Sequence, residues 1–429
     1  RQTWPARESG PGPVVIRKAN EPMRPVRRRW AAPLLAFGLL LPAGSAVVGA
    51  GPADTGLLAG SDCQYPSKPM PGKPWSLQRV LLDELWQKST GKGVTVAVID
   101  SGIDDDNPQL GPAIVPGKDF FNDKANGTDD TNGHGTMAAG IIAARPGSRL
   151  TPAIDTGFVG LAPEAMLLPI RQNGGDDATK GNEDSLAAAI DYAVAGGATV
   201  INISQDTVGG QEPGVKLRDA VQRAIAKQVV VVAAAGNSGD KDNLDSWPAK
   251  YPGVLGVGAS DRNNERAPFS QNKPYVGVLA PGVDMWSTVP KGGHCRGDGT
   301  SFATPYVAAV AALIRSAHPN YTAAQVITLI EQTAQRGAPG HTVGVGWGVV
   351  DPLRALNSTV VPAFAPVPDP QVDRSTELVN VAPLAHGPTR ADRDRRQASV
   401  VLFLAIGLTI VVTCTATVIR DARRRRASG

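Results

Sequence analysis

Cysteine is scarce: Cys63, Cys295 and Cys414 are the only three in a chain of 429 residues. That excludes a disulfide-dense scaffold, so a hydrophobic core has to hold the fold. Aromatic residues are only 5% of the chain, too few for base-stacking platforms. Excess charge is also small, with 43 basic against 39 acidic side chains and the arginines gathered near the ends. Such a balance is not the footprint of a nucleic-acid binder. No internal repeat is visible. What abounds is glycine and proline, 48 and 36 residues, which marks many turns. The 42% hydrophobic content suffices for a large core, and the length exceeds what one ordinary domain needs.

Two apolar stretches stand apart. The first methionine is Met23, followed by "RPVRRRW" and "AAPLLAFGLLLPAGSAVVGAG". Basic, then apolar, then small residues form a secretory signal over 23–50, with cleavage expected between Ala46 and Ala53. Translation is expected to start at Met23, leaving 1–22 as a non-native upstream extension. The alternative for 23–50 is an uncleaved anchor helix. Near the other end, "ASVVLFLAIGLTIVVTCTATVI" (398–419) carries no charge. At ~1.5 Å per residue it is about 33 Å long as a helix, enough for a ~30 Å hydrocarbon core. Arg420 and Arg423 to Arg426 follow it, and a basic tail over 420–429 is expected to stay in the cytoplasm. The section between the two stretches is then expected to be exported and held at the membrane.

Residues 51–75 form a Gly/Pro-rich extension, too short to fold alone and expected to lie against the main domain. The extension also leaves too little chain for a folded pro-domain, so it is expected to remain attached. From 76 to 357, continuous apolar runs such as "GVTVAVID", "ATVINIS", "VVVVAAAGN" and "VLGVGAS" alternate with helical patterns such as "EDSLAAAIDYAVAGG" and "VKLRDAVQRAIAKQ". "TAAQVITLIEQTA" opens with a capping box, Thr322 and Gln325. The pattern predicts an α/β domain of three layers, a mostly parallel sheet covered on both faces. Residues 358–397 begin "STVVPAFAPVPDPQ" and read as a proline-rich linker to the membrane.

Three short stretches carry chemistry. "VAVIDSGID" puts Asp100 at the C-terminal end of a strand, "NGHGTMAAGII" puts His134 at a helix entry, and "GDGTSFATP" puts Ser301 at another. Sites of open parallel sheets lie outside the carboxyl ends of the strands, where all three can converge. A serine hydroxyl needs a base to take its proton, an imidazole suits that near neutral pH, and an aspartate fixes the imidazole's tautomer. Glycines before Ser301 let a substrate backbone approach, and the helix N-terminus favours negative charge on an attacked carbonyl oxygen. "AAAGNSGD" adds Asn237, whose amide can donate to that oxyanion.

These motifs resemble those of the subtilisin-like serine proteases. "VIDSGID", "GHGT" and "GTSFATP" match the aspartate, histidine and serine motifs in family order, and "AAGN" matches the oxyanion asparagine. Flanking text fits over roughly 76–357. The layout of signal, extension, catalytic domain, proline-rich linker, single span and basic tail is similar to the mycosins, membrane-anchored subtilases of type VII secretion. The resemblance implies a serine endopeptidase acting on secreted proteins, with a structural part in a membrane complex as the alternative role.

The chain departs from the family at two places. Phe302 stands where many subtilases have methionine, a change expected to be tolerated. Gln205, Asp206 and Thr207 stand where many have Leu-Gly-Gly beside the groove, so the bond preference is expected to differ. Cys63 and Cys295 are expected to form a disulfide pinning the extension to the loop before Ser301; two free thiols are the alternative. Cys414 reads as a small apolar residue of the span. His294 beside Cys295 does not make a metal site with two ligands, and His318, His341 and His386 read as surface residues. "NDKANGTDD" (122–130) faintly resembles a calcium loop but lacks the closing glutamate, and reads as a solvated turn; no cofactor is expected, with calcium, which some subtilases bind, as the alternative.

Overall fold

The computed structural model describes residues 63–123, 126–150, 152–174, 181–205, 212–370 and 390–427, side chains included up to 426. The signal stretch 23–50, the upstream segment 1–22, the expected cleavage site, His386, Asp206 and Thr207 all lie outside them. Seven strands form one parallel sheet: β1 (Thr95–Asp100), β2 (Lys118–Asp119), β3 (Met166–Arg171), β4 (Val200–Ile203), β5 (Val230–Ala234), β6 (Leu255–Ser260) and β7 (Val276–Pro281). Their order is β2-β3-β1-β4-β5-β6-β7. The central strands are buried along nearly their whole length, which is why they read as unbroken apolar runs rather than alternating ones.

Helices cover both faces. Short α1 (Trp75–Gln78) and α2 (Leu82–Lys88) precede the sheet, and α3 (His134–Ala143) follows β2. Then come α4 (Glu183–Ala195), α5 (Val215–Ala226), α6 (Thr300–Ala317), α7 (Ala323–Thr333) and α8 (Pro352–Asn357). Val96, Val98, Val200, Val232 and Val257 pack with α3, α6 and α7 on one face. Ala97, Ile99, Ile201, Ile203 and Val231 pack with α4 and α5 on the other. This is the expected three-layer arrangement. The alanines of α6 let it run through the core, buried from Thr300 to Arg315. Pro305 lies inside α6 and lacks the N–H that would bond the Ser301 carbonyl. The capping box at Thr322 and Gln325 is present.

A two-stranded antiparallel ribbon, β8 (Met285–Thr288) and β9 (His294–Gly297), leads into α6. The extension lies along it. Ser67 N–H donates to Gly292 O at 3.0 Å, His294 N–H to Lys68 O at 3.1 Å, and Cys63 is disulfide-bonded to Cys295. His294 is buried, at 2% exposure. Its Nδ1 accepts from Met70 N–H at 3.0 Å, so Nε2 carries the proton and donates to Gln109 Oε1 at 2.8 Å. Burial pushes its pKa down to about 4.

Two surface histidines have partners: half-buried His318 stacks on Tyr321, and exposed His341 donates to Val276 O at 2.9 Å. The stretch read as linker does not leave the domain at residue 358. Gln325 Nε2 donates to Pro362 O, Gln332 makes two hydrogen bonds with Val367, and Arg336 makes two with Asp369. The helix α9 (Arg390–Ala427) contains the apolar stretch 398–419 and continues beyond it at both ends. Among the described residues it is the one helix long and apolar enough to cross a membrane, with a mean hydropathy of 2.4 over its best window.

Candidate active site

Asp100 ends β1, and the chain passes to β3 on one side of β1 and later to β4 on the other. That reversal opens a crevice at the carboxyl end of β1. Asp100 is buried there. Its Oδ1 accepts from Ser101 N–H at 2.7 Å and from His134 Nδ1 at 2.7 Å. Oδ2 is buried and has no hydrogen-bond partner among the described residues. A carboxylate can only accept here, so His134 carries its proton on Nδ1 and leaves Nε2 as the free base.

His134 is the first residue of α3, entered through Gly133 at φ 92°. A Cβ at 133 would lie 2.3 Å from the Tyr65 hydroxyl of the extension, so glycine is required there twice over. Burial disfavours the imidazolium. The charge and hydrogen bond of Asp100, with Asp130 behind, outweigh burial and raise His134 above the ordinary imidazole value.

Ser301 is the second residue of α6. The His134 ring lies 5.3 Å from the ring of the next residue, Phe302, centroid to centroid. No hydrogen bond joins His134 to Ser301; such bonds commonly tighten only when substrate is in place. The Ser301 N–H has no partner among the described residues, as expected at a helix start. Asn237 follows β5 and the left-handed Gly236. Its Oδ1 accepts from Thr300 N–H at 2.9 Å and Thr300 Oγ1 at 3.0 Å. A backbone N–H can only donate, so the amide's orientation is settled and Nδ2 is the outward donor. A Cβ on Gly299 would sit 2.9 Å from Ser301 Oγ and 3.6 Å from Asn237 Nδ2, so both groups border one small space. An oriented base, a hydroxyl and two free N–H donors around that space are the parts of acyl transfer.

A model of the subtilase family matches residues 91–348, which hold all four residues. The chain belongs to the subtilase family. It is 38% identical over 264 residues to subtilisin E of Bacillus subtilis, covering 61% of this chain and 66% of that protein, just under two thirds. Among solved structures it is similar to the MycP3 protease from the type VII (ESX-3) secretion system. That match has 33% identity and a TM-score of 0.60, over 68% of this chain and 91% of that one. MycP1 from Mycobacterium smegmatis matches with 31% identity and a TM-score of 0.61, over 72% and 90%.

Other residues of the site were not legible beforehand. The reading of 122–130 as a solvated turn fails at Asp130, which is only 5% exposed and accepts four hydrogen bonds beside the subtilase's Asp100 and His134. Its neighbours in the chain are polar, and its burial arises only when β1 and α3 dock around it. Phe302 is accommodated by Gly297, where a Cβ would lie 2.5 Å from the ring. Gln205 bonds to Asn173 and Gln172, forming an amide cluster beyond the ends of β3 and β4.

Proposed function

We propose that this subtilase hydrolyses peptide bonds of secreted proteins with Asp100, His134 and Ser301, from a single membrane anchor. His134 Nε2 takes the Ser301 proton as Oγ bonds to the scissile carbonyl carbon. The carbonyl π electrons move onto oxygen, which receives hydrogen bonds from Ser301 N–H and Asn237 Nδ2. Collapse breaks the C–N bond, and His134 returns its proton to the leaving amine. Water, deprotonated by His134, then attacks the acyl-enzyme, frees the acid and restores Ser301. Asp100 stays ionised and stabilises the imidazolium between transfers.

The observation that carries this reading is the 2.7 Å Asp100–His134 bond with His134 against the Ser301 end of α6. The signal stretch, the apolar α9 and the basic tail support a catalytic domain outside the bacterial membrane with its C-terminus in the cytoplasm. Likeness to MycP3 supports service in a type VII secretion complex. A structural role in that complex, with proteolysis dispensable, is the second reading. It is favoured by the exposed apolar Val360, Val361, Phe364 and Val367 on the strap held to α7.

The test compares a gene deletion with Ser301→Ala, sequencing the N-termini of secreted proteins. Cleaved N-termini that vanish in both strains support the protease. Identical N-termini in wild type and Ser301→Ala overturn it. Secretion that fails only in the deletion assigns the essential role to the scaffold.

A further inference from the structure

Asp130 is a buried charged group that takes no part in the catalytic steps. Oδ1 accepts from Ser101 Oγ at 2.9 Å and Gly133 N–H at 2.8 Å. Oδ2 accepts from Thr136 N–H at 2.8 Å and Thr136 Oγ1 at 2.6 Å. The direction of each bond is determined. Ser101 Oγ accepts from Gly135 N–H at 2.9 Å, and Thr136 Oγ1 accepts from Asp104 N–H at 3.0 Å. Each hydroxyl therefore has its hydrogen free for Asp130, and the other two donors are backbone N–H groups. Four donors fill the four acceptor positions of a carboxylate and leave no place for a proton.

Burial first, and then the Asp100 charge, raise the Asp130 pKa above the ordinary carboxylate value, while the bonds from Thr136 Oγ1, Gly133 N–H and Thr136 N–H oppose the rise. The bonding pattern is what a carboxylate anion requires and a neutral acid cannot satisfy, so the anion is the resident form. We propose that Asp130 is a positioning residue: a buried anion that ties the turn after Asp100 to the start of α3 and adds negative charge behind His134.

The ties reach both partners of the pair. Ser101 adjoins Asp100, and Gly133, Gly135 and Thr136 surround His134. One side chain thus fixes the relative placement of two elements whose functional groups meet at 2.7 Å. The charged and titratable groups facing this cluster come from three directions. Asp100 lies on β1, with Asp104 just beyond it, its carboxylate accepting from Lys291 N–H at 2.6 Å. Tyr65 of the extension donates to Asn132 O, and burial first, then the Asp130 charge, push its phenol up to about 12. Asp129 beside Asp130 pairs with Arg171 of β3 at 3.1 Å. The α6 side presents Ser301 and Phe302, neither of which titrates near neutral pH.

This proposal rests on the protease reading, so the experiment includes its control. The full chain in detergent is assayed against the best-cleaved member of a fluorogenic peptide library, with Ser301→Ala alongside. Wild type no more active than Ser301→Ala overturns the protease reading itself. With wild type active, kcat/KM is measured against pH for Asp130→Asn. Loss of the anion is expected to move the acidic limb down by roughly half to one unit, with kcat reduced more than KM is raised. A folded Asp130→Asn with the limb unmoved overturns the proposal.

Asparagine turns donors toward donors and can prevent folding. In that case Ser101→Ala and Ser101→Thr decide. Ser101→Ala is expected to lose about tenfold in kcat at little cost in KM, and Ser101→Thr, which keeps the hydroxyl, to restore it. Ser101→Ala within twofold of wild type overturns the proposal.

Discussion

Replacing Asn237 by aspartate separates two roles that alanine would remove together. Asn237 Oδ1 holds the first turn of α6 through Thr300 N–H and Oγ1 at 2.9 and 3.0 Å. Thr300 Oγ1 in turn accepts from Gly236 N–H at 3.3 Å. Aspartate keeps an acceptor in that position, so these contacts survive. It exchanges the Nδ2 donor for a carboxylate oxygen that faces the space beside Ser301 Oγ. Losing one donor to a developing oxyanion costs about 2.7–4 kcal/mol, or about 10²–10³ in kcat. A negative charge there opposes the oxyanion as well, so Asn237→Asp should fall at least as far as Asn237→Ala. The oxyanion is absent from the bound substrate and forms only on attack, so KM should change little in either variant. The assay is steady-state cleavage of a fluorogenic peptide, with thermal unfolding to confirm that both variants are folded. An aspartate variant within tenfold of wild type while alanine loses about 10²-fold would refute the reasoning, because the residue would then act only by holding α6.

Gly299 has φ +150°, and a Cβ there would lie 2.9 Å from Ser301 Oγ. Gly299→Ala should therefore lose most of kcat while Asn237 and His134 stay in place; activity within a few-fold of wild type would contradict the geometry. Because Asp100 and Asp130 raise His134, kcat/KM should climb with pH through a midpoint above the ordinary imidazole value of about 6.5. A midpoint below that value in a pH profile would count against the charge argument. His294 titrates near 4 when folded but near ~6.5 when unfolded. The unfolded chain then binds the extra proton between those values, so stability should fall by about 3 kcal/mol as pH drops through that window. Denaturant unfolding at several pH values checks this: His294→Gln should flatten the dependence, and an unchanged slope would contradict it.

How much of this was legible in advance follows from where each interaction is made. β1, β4 and β5 are buried on both faces, so each is an apolar run readable in isolation. α7 carries its capping box in four consecutive positions. Asp100, His134, Ser301 and Asn237 each sit in a local motif whose glycines report the turn. The β8–β9 ribbon has no such signature: "HCRG" is short and lies among glycines, and it forms because α3 and the extension pack on it. Asp130 looked solvated because its chain neighbours are polar, whereas its partner Ser101 comes from the end of β1 and Thr136 lies six residues on, inside α3. The strap 362–369 looked like a free linker because proline predicts extension but not contact. Gln325, Gln332 and Arg336, tens of residues away, hold it down.

The central claim is that His134 activates Ser301. A fluorophosphonate probe tests it directly, since it bonds only to an activated hydroxyl. Digestion and mass spectrometry of the labelled full-length protein should place the phosphonyl group on the Ser301 peptide, with labelling lost in His134→Ala and in Ser301→Ala. Labelling of Ser301 that persists undiminished in His134→Ala, or a wild-type protein that takes up no probe at Ser301, would contradict the account.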